Sequence, residues 1–385
     1  MRQLYLAATG QNRGKTTAAL GLFDGFIRLG LHAGFMKPVG QRTVIDDGVP
    51  ADEDAVLMRT TFGLPEPYSV LSPVHIPRGF TKKYIAGEVV EDLGARIAQA
   101  HAGFADHDVL LIEGTGHAGV GAVIGLSNAT VAAAIGAPAI IVSEGGVGRP
   151  IDEIVLNASL FASRGVKVAG AIVNKVDIEA QPGIERVLER GLAPYGIPLL
   201  GILPVRPLLS NPTLEMILEG VPGETLHAGP DLERVIDGVA IGAMEPGHML
   251  ERVGPGTLVI VPGDREDVIL TLTTAHLMGV PRTATDDEIA RPTLELPDGH
   301  EGAAIGLVLT GGYRPRPAVI AAIRRADLFA TLVPDDTYTV ASEVHDLLVK
   351  THAADREKVE LIKELVSENL DIDRILAVAT EWPIA

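Results

Sequence analysis

The chain has 385 residues, 46% of them hydrophobic and 21% charged, with 43 Gly and 26 Pro: a globular composition, long enough for two or three domains. It contains no cysteine, which excludes disulfides, iron–sulfur ligation, thiolate zinc sites and every mechanism with a Cys nucleophile. The balance of 32 basic against 50 acidic residues, a net charge of −18, opposes attraction to nucleic acid or to anionic lipid, so neither is an expected partner.

The predicted elements alternate. Leu4 to Ala8 reads as a buried strand, Thr16 to Leu29 as a helix that Gly30 stops, and Gly34 to Met36 as a second strand. Val109 to Ile112, Ala139 to Val142, Val168 to Val173 and Leu199 to Leu203 are further continuous apolar strands, and Ile151 to Arg164 is a helix with Pro150 at its start. Buried strands separated by helices indicate a parallel sheet covered on both faces. The stretch 206–256 is rich in Pro, Gly and acidic residues and reads as the domain boundary. A second, smaller α/β pattern follows. It has strands at Leu258 to Val261, Gly306 to Leu309 and Ala330 to Val333, a helix that Asp264 caps, and helices beginning near Pro315 or Pro317 and at Asp336-Thr337. The last stretch, about 354–380, reads as helical with a charged outer face. The expected domains are 1–208, 209–350 and a helical tail, 351–385. The start, MRQLYLAATGQNRGKTT, does not read as a signal peptide, and no 18-residue apolar stretch lacks charge, so a cytoplasmic protein outside the membrane is expected.

Thr9-Gly10-Gln11-Asn12-Arg13-Gly14-Lys15-Thr16-Thr17 stands between a buried strand and a helix, the setting of a phosphate loop. Backbone N–H groups there, with the helix N-terminus, would point at one anion. Lys15 would neutralise the β- and γ-phosphates and Thr16 would hold Mg²⁺. The strict pattern has Gly where Thr9 stands. Glu113 ends a strand and is placed to hold Mg²⁺ directly or through water, and one of Asp52, Glu53 and Asp54 could complete the shell. Lys37 follows the second strand and would face the ligand crevice of an open sheet. Asn174 follows the fifth strand and could pair with a base edge. Thr310-Gly311-Gly312 is a candidate anion nest or a tight turn.

The order TGQNRGKTT, KPVGQ, DEDAV, IEGTGHAGVG and IVNKVD resembles the dethiobiotin synthetase family, over about the first 205 residues. It is more similar still to the synthetase-like N-terminal domain of some phosphotransacetylases. Thr at the first loop position also occurs in dethiobiotin synthetases. Gly263-Asp264-Arg265, Leu309 to Gly312 and Asp336 to Tyr338 resemble the landmarks of the DRTGG domain, which follows the synthetase-like domain in such phosphotransacetylases. The resemblance implies a P-loop NTPase-type sheet that binds ATP and Mg²⁺. Gly10, Gln11, Asn12, Arg13, Gly14, Lys15, Thr16 and Thr17 would bind the nucleotide, with Asn174 at adenine. Lys15 and Lys37 would be catalytic, and Thr16, Asp54 and Glu113 would be the metal ligands. It also implies a homodimer.

Two functions follow. One is an ATP-dependent ligase or carboxylase that works through a phosphorylated carbamate or carboxylate on a small-molecule substrate. The other is a non-catalytic protein that responds to a nucleotide or small effector. Arg42 and His117 depart from the synthetase pattern; Arg42 could favour a more anionic substrate or simply be a surface residue, and His117 could bond phosphate or transfer a proton but reads better as a loop residue. Acetyl transfer is not expected, because nothing after the DRTGG-like part reads as an acetyltransferase. Cobyrinic acid amidotransferases share such a synthetase domain but need a Cys nucleophile, so amidation with glutamine is not expected either.

Overall fold

The computed structural model describes residues 1–278, 304–345, 347 and 351–381. They fall into two units, Met1–Arg206 with Thr351–Ala385, and Pro207–Lys350.

In the first unit the continuous apolar runs pair side by side, because a strand with no polar face must be covered on both sides. The sheet runs Leu199–Pro204, Val168–Val176, Ala139–Glu144, Arg2–Ala8, Val109–His117, Ala33–Met36, and all these pairings are parallel. From Arg2–Ala8 the chain fills one side of the sheet first and the other side afterwards. Right-handed crossovers then put the two sets of helices on opposite faces and leave a crevice at the carboxyl end of Arg2–Ala8. The helix Lys15–Arg28 leaves that crevice with Ala18, Ala19, Leu22, Phe23 and Phe26 buried.

The second unit has a sheet in the order Glu224–His227, Phe329–Leu332, Gly306–Thr310, Thr257–Pro262, Gly238–Ile241. Glu224–His227 is antiparallel and the others are parallel. Alternate residues serve two cores. Val259, Val261, Leu307 and Leu309 pack with Ile269 and Leu272, whereas Leu258, Ile260 and Val308 pack with Ile217 and Val340.

Three expectations need adjusting. The boundary between the units falls at the start of the Pro- and Gly-rich stretch, between Arg206 and Pro207, and the rest of that stretch is folded and supplies both edge strands of the second sheet, Glu224–His227 and Gly238–Ile241. Edge strands tolerate such residues because one side of their backbone needs no ladder partner. The helix after Asp264 is Glu266–Met278, and the Arg265 carbonyl, not Asp264, accepts its first bond, from the Ile269 N–H. The stretch from Thr351 is not a separate tail but part of the first unit. Its helix Arg356–Asn369 buries Val359, Ile362, Leu365 and Val366, and a Cβ on Gly21 would lie 2.3 Å from the Val366 Cβ. Thr380–Glu381 then pairs antiparallel with Arg2 and Gln3. Glycines on one helix let the other approach closely, a tertiary fit that periodicity does not report. Among the described residues no helix is long and apolar enough to cross a membrane.

Candidate functional site

The loop between Arg2–Ala8 and Lys15–Arg28 turns through two left-handed residues, Asn12 at φ 58° and Gly14 at φ 90°. Gly14 is required twice over: for that φ, and because a Cβ there would sit 1.8 Å from Asn174 Nδ2. The helix starts without a side-chain cap. The N–H groups of Gly14, Lys15, Thr16 and Thr17 donate to no protein acceptor among the described residues. A row of uncommitted donors at a helix N-terminus suits an anion. Lys15 is buried, with Nζ 3.4 Å from the Gly10 carbonyl. Burial, and then the neighbouring Lys37 ammonium, push its pKa down to about 8.

Thr16, Lys37, Asp54 and Glu113 meet beside the loop. The Thr16 hydroxyl lies 3.2 Å from Asp54 Oδ1 and 3.1 Å from Glu113 Oε1. Lys37 donates to Asp54 Oδ2 at 2.5 Å, to Glu113 Oε1 at 2.9 Å and to the Gly114 carbonyl at 3.4 Å. Lys37 and Glu113 are 3% and 1% exposed, so this ion pair is sealed from water. Burial alone would lower the Lys37 pKa, but Asp54 and Glu113 hold it well above the ordinary value. Burial likewise works to raise Asp54, and Lys37 outweighs it, so that carboxyl stays low. Burial wins at Glu113, pushed up to about 7. Its Oε2 is buried with no partner among the described residues, an acceptor left for a cation or a water.

The acidic cluster divides its roles. Asp52 caps the helix Glu53–Phe62 by accepting from the Asp54 N–H, and its burial raises it to about 6. Glu53 pairs with Arg42 at 3.1 Å. Asp54 is the member that reaches Thr16 and Lys37. No group of three or more His, Asp or Glu residues among the described ones forms a metal site by itself. Thr16, Asp54 and Glu113 fit Mg²⁺ only in the manner of a shared shell, in which phosphate oxygens and water supply most ligands.

On the other side of the loop Asn174 Nδ2 donates to the Arg13 carbonyl at 3.2 Å, and Lys175 Nζ to the Asn12 carbonyl at 3.3 Å. Arg13 and Lys175 both pair with Glu144. Gln11 and Asn12 are exposed, and Gly10 and Thr17 are partly buried, at the loop's two ends. Two contributors escaped the sequence reading. Glu144 ends a strand with no motif around it. Asn128 is buried and takes the Tyr5 hydroxyl at 2.9 Å and the Thr115 N–H at 3.1 Å, while its Nδ2 donates to the carbonyls of Thr115 and His117. It thereby fixes the turn after Glu113; the Ser127-Asn128 helix start was its only signal. His117 is exposed, and its Nδ1 accepts the Gly119 N–H.

The second unit's candidate nest is a turn. The N–H groups of Gly311 and Gly312 already donate to the carbonyls of Asp335 and Val333. The Thr310 hydroxyl lies 2.7 Å from that of Thr337.

Comparison with known proteins agrees with this division. Residues 2–213 match the AAA domain family and residues 216–347 the DRTGG domain. The phosphate acetyltransferase of Pseudomonas putida is 29% identical over 390 residues, covering 96% of this chain and 51% of that protein. That of Pseudomonas aeruginosa is 27% identical over 394 residues, covering 97% and 51%. The chain spans about half the length of these curated relatives. With more than half of its residues inside the first match, the chain belongs to the AAA domain family, here joined to a DRTGG domain.

Proposed function

We propose that the first unit binds a purine nucleoside triphosphate with Mg²⁺, ATP on the synthetase resemblance, and uses it for phosphoryl transfer to a carbamate or carboxylate. The observation that carries this reading is the uncommitted row of N–H groups from Gly14 to Thr17 beside buried Lys15. Thr16, Asp54 and Glu113 would hold Mg²⁺, which supplies charge neutralisation between the phosphates. The ammonium groups of Lys15 and Lys37 would stabilise charge on a transferring group, with little covalent work for the protein. Lys37 has to exchange part of its bonding with Asp54 and Glu113 for the substrate, and the partnerless Glu113 Oε2 gives the metal a place to enter.

Titration calorimetry with magnesium nucleotides tests the binding. Removing the ammonium in Lys15→Ala should weaken it ~10 to 100-fold. Phosphate release on addition of amines with bicarbonate, or of carboxylates, tests the chemistry; nucleotide that binds and is never consumed argues against a ligase.

A second reading is favoured by the relatives being phosphate acetyltransferases matched along 96% and 97% of this chain. In it the first unit senses the nucleotide and the chain regulates an acetyltransferase activity. Hydrogen exchange that changes on nucleotide binding beyond the phosphate loop supports it; exchange altered only at the loop counts against it.

A further inference from the structure

The carboxylates of Asp54 and Glu113 lie beside the phosphate loop with a cation already bridging them. An ammonium has three protons, and Lys37 Nζ has three acceptors: Asp54 Oδ2 at 2.5 Å, Glu113 Oε1 at 2.9 Å and the Gly114 carbonyl at 3.4 Å. It is saturated from within the chain, with no donor left for a ligand. The Thr16 hydroxyl reaches the same pair, at Asp54 Oδ1 and Glu113 Oε1. Of the carboxylate oxygens, Glu113 Oε2 alone has no partner among the described residues.

We propose that the Lys37 ammonium is an internal stand-in for the metal: it keeps Asp54 and Glu113 closed to divalent cations until a nucleotide phosphate draws it away, so that metal and nucleotide bind only together. The proposal rests on the phosphate-loop reading above and adds to it how entry to that site is controlled.

The physical case is an exchange of ion pairs. A divalent cation that approaches Asp54 and Glu113 alone meets a positive charge on the same oxygens, and the two repel. Driving the ammonium off without a new anion would strand it in a buried place, which is strongly unfavourable. A phosphate on the N–H row of Gly14 to Thr17 removes both obstacles. After burial, Lys37 is the strongest influence lowering the Lys15 pKa, so the two ammonium groups are close enough to repel. An anion between them relieves that repulsion and gives Lys37 a new partner. The carboxylates it leaves are then open to a cation, with the Thr16 oxygen beside them, and Glu113 Oε2 is where the exchange can begin. No buried charge is left alone at the end.

The backbone confines this exchange to one side chain. The Lys37 N–H is fixed on the Leu71 carbonyl at 2.7 Å, and Pro38 follows. Asp54 stands in the first turn of Glu53–Phe62 with its N–H on Asp52, and Glu113 lies in the sheet opposite Leu6. The carboxylates therefore stay in place while the flexible lysine stem swings.

The test is Mn²⁺ binding to the full chain, read by electron paramagnetic resonance and by thermal unfolding. Without nucleotide the unsubstituted chain should bind Mn²⁺ at least ~10-fold more weakly than with ADP present. Lys37→Met removes the stand-in, so Mn²⁺ alone should bind it at least ~10-fold more tightly than it binds the unsubstituted chain, and should stabilise it more. Lys37→Gln retains an amide donor for one carboxylate and should show the same gain, which covers a Lys37→Met that does not fold. Adding Glu113→Gln to Lys37→Gln should abolish the gain. Mn²⁺ binding to Lys37→Gln no tighter than to the unsubstituted chain overturns the proposal, as does a gain that survives Glu113→Gln. Two failures stay distinct. Magnesium ADP that binds the unsubstituted chain, beside a Lys37→Gln that gains no Mn²⁺, removes the stand-in alone. Magnesium ADP that does not bind at all removes the phosphate-loop reading, and the proposal falls with it.

Discussion

The two units each carry a Gly turn at the carboxyl end of a parallel strand, followed by a helix, yet only one turn is built to receive an anion. At Gly10 to Thr17 the helix starts uncapped and the N–H groups of Gly14 to Thr17 are uncommitted. At Thr310 to Gly312 the glycine N–H groups are bound to Asp335 and Val333, and Asp336 Oδ1 accepts from the N–H groups of Tyr338 and Thr339 at the next helix start. Charge divides the same way. The first unit buries Lys15, Lys37 and Glu113, whereas the second pairs Arg265 with Asp267, Arg314 with Glu224 and Arg316 with Glu266 at its surface. Position at the carboxyl end of a parallel strand therefore does not make a site. Unsatisfied donors and buried charge do, because a ligand must offer something that the protein has not already supplied.

Substitutions can break that contrast. The largest expected effect is Lys37→Met, which leaves Asp54 and Glu113 without their cation and should cost about 3–5 kcal/mol in urea unfolding. A surface pair cut in the second unit, Arg314→Ala, should cost less than about 1 kcal/mol.

Acid should separate the units next. His101 is buried, with Nε2 2.8 Å from Gln3 Oε1, and its burial pushes its pKa down to about 4. The neutral ring stabilises the fold fully above about pH 6.5, where the unfolded chain is also neutral. As pH falls, the unfolded chain takes the proton first, and by about pH 4 roughly 3 kcal/mol has been lost. Hydrogen exchange should show Arg2–Ala8 loosening over this range, and His101→Gln should flatten the slope. An unchanged slope in that variant would remove His101 from the account.

Gly14→Ala places a methyl group 1.8 Å from Asn174 Nδ2 and should lower nucleotide affinity at least ~10-fold, read by calorimetry. Gly21→Val crowds Val366 and should cost about 1–3 kcal/mol in thermal or urea unfolding. Among the glycine variants the smallest effect is expected for Gly312→Ala, at φ 68°: about 1 kcal/mol of stability and no change in nucleotide affinity. A loss of affinity there would overturn the contrast between the two turns.

Much of this was legible along the chain, because the informative residues are neighbours. Nine consecutive positions, Thr9 to Thr17, announce a phosphate loop, and uninterrupted apolar runs announce a parallel sheet. The acidic triplet shows where legibility stops. Asp52, Glu53 and Asp54 are equivalent as residue types, and helix phase alone makes one a cap, one a partner of Arg42 and one a neighbour of Thr16. Asn128 and Glu144 carry no motif, since their partners lie on other strands.

The sequence by itself determined the alternation of strands and helices, the anion-binding loop and the absence of thiol chemistry, all properties of local pattern or composition. Only the tertiary structure decided which donors remain uncommitted, that Lys37 is sealed between two carboxylates, and that the last helices close over Gly21. The reason is that hydrogen-bond satisfaction and burial depend on groups far apart in the chain, so a glycine turn keeps uncommitted donors in one unit and has its donors bound in the other.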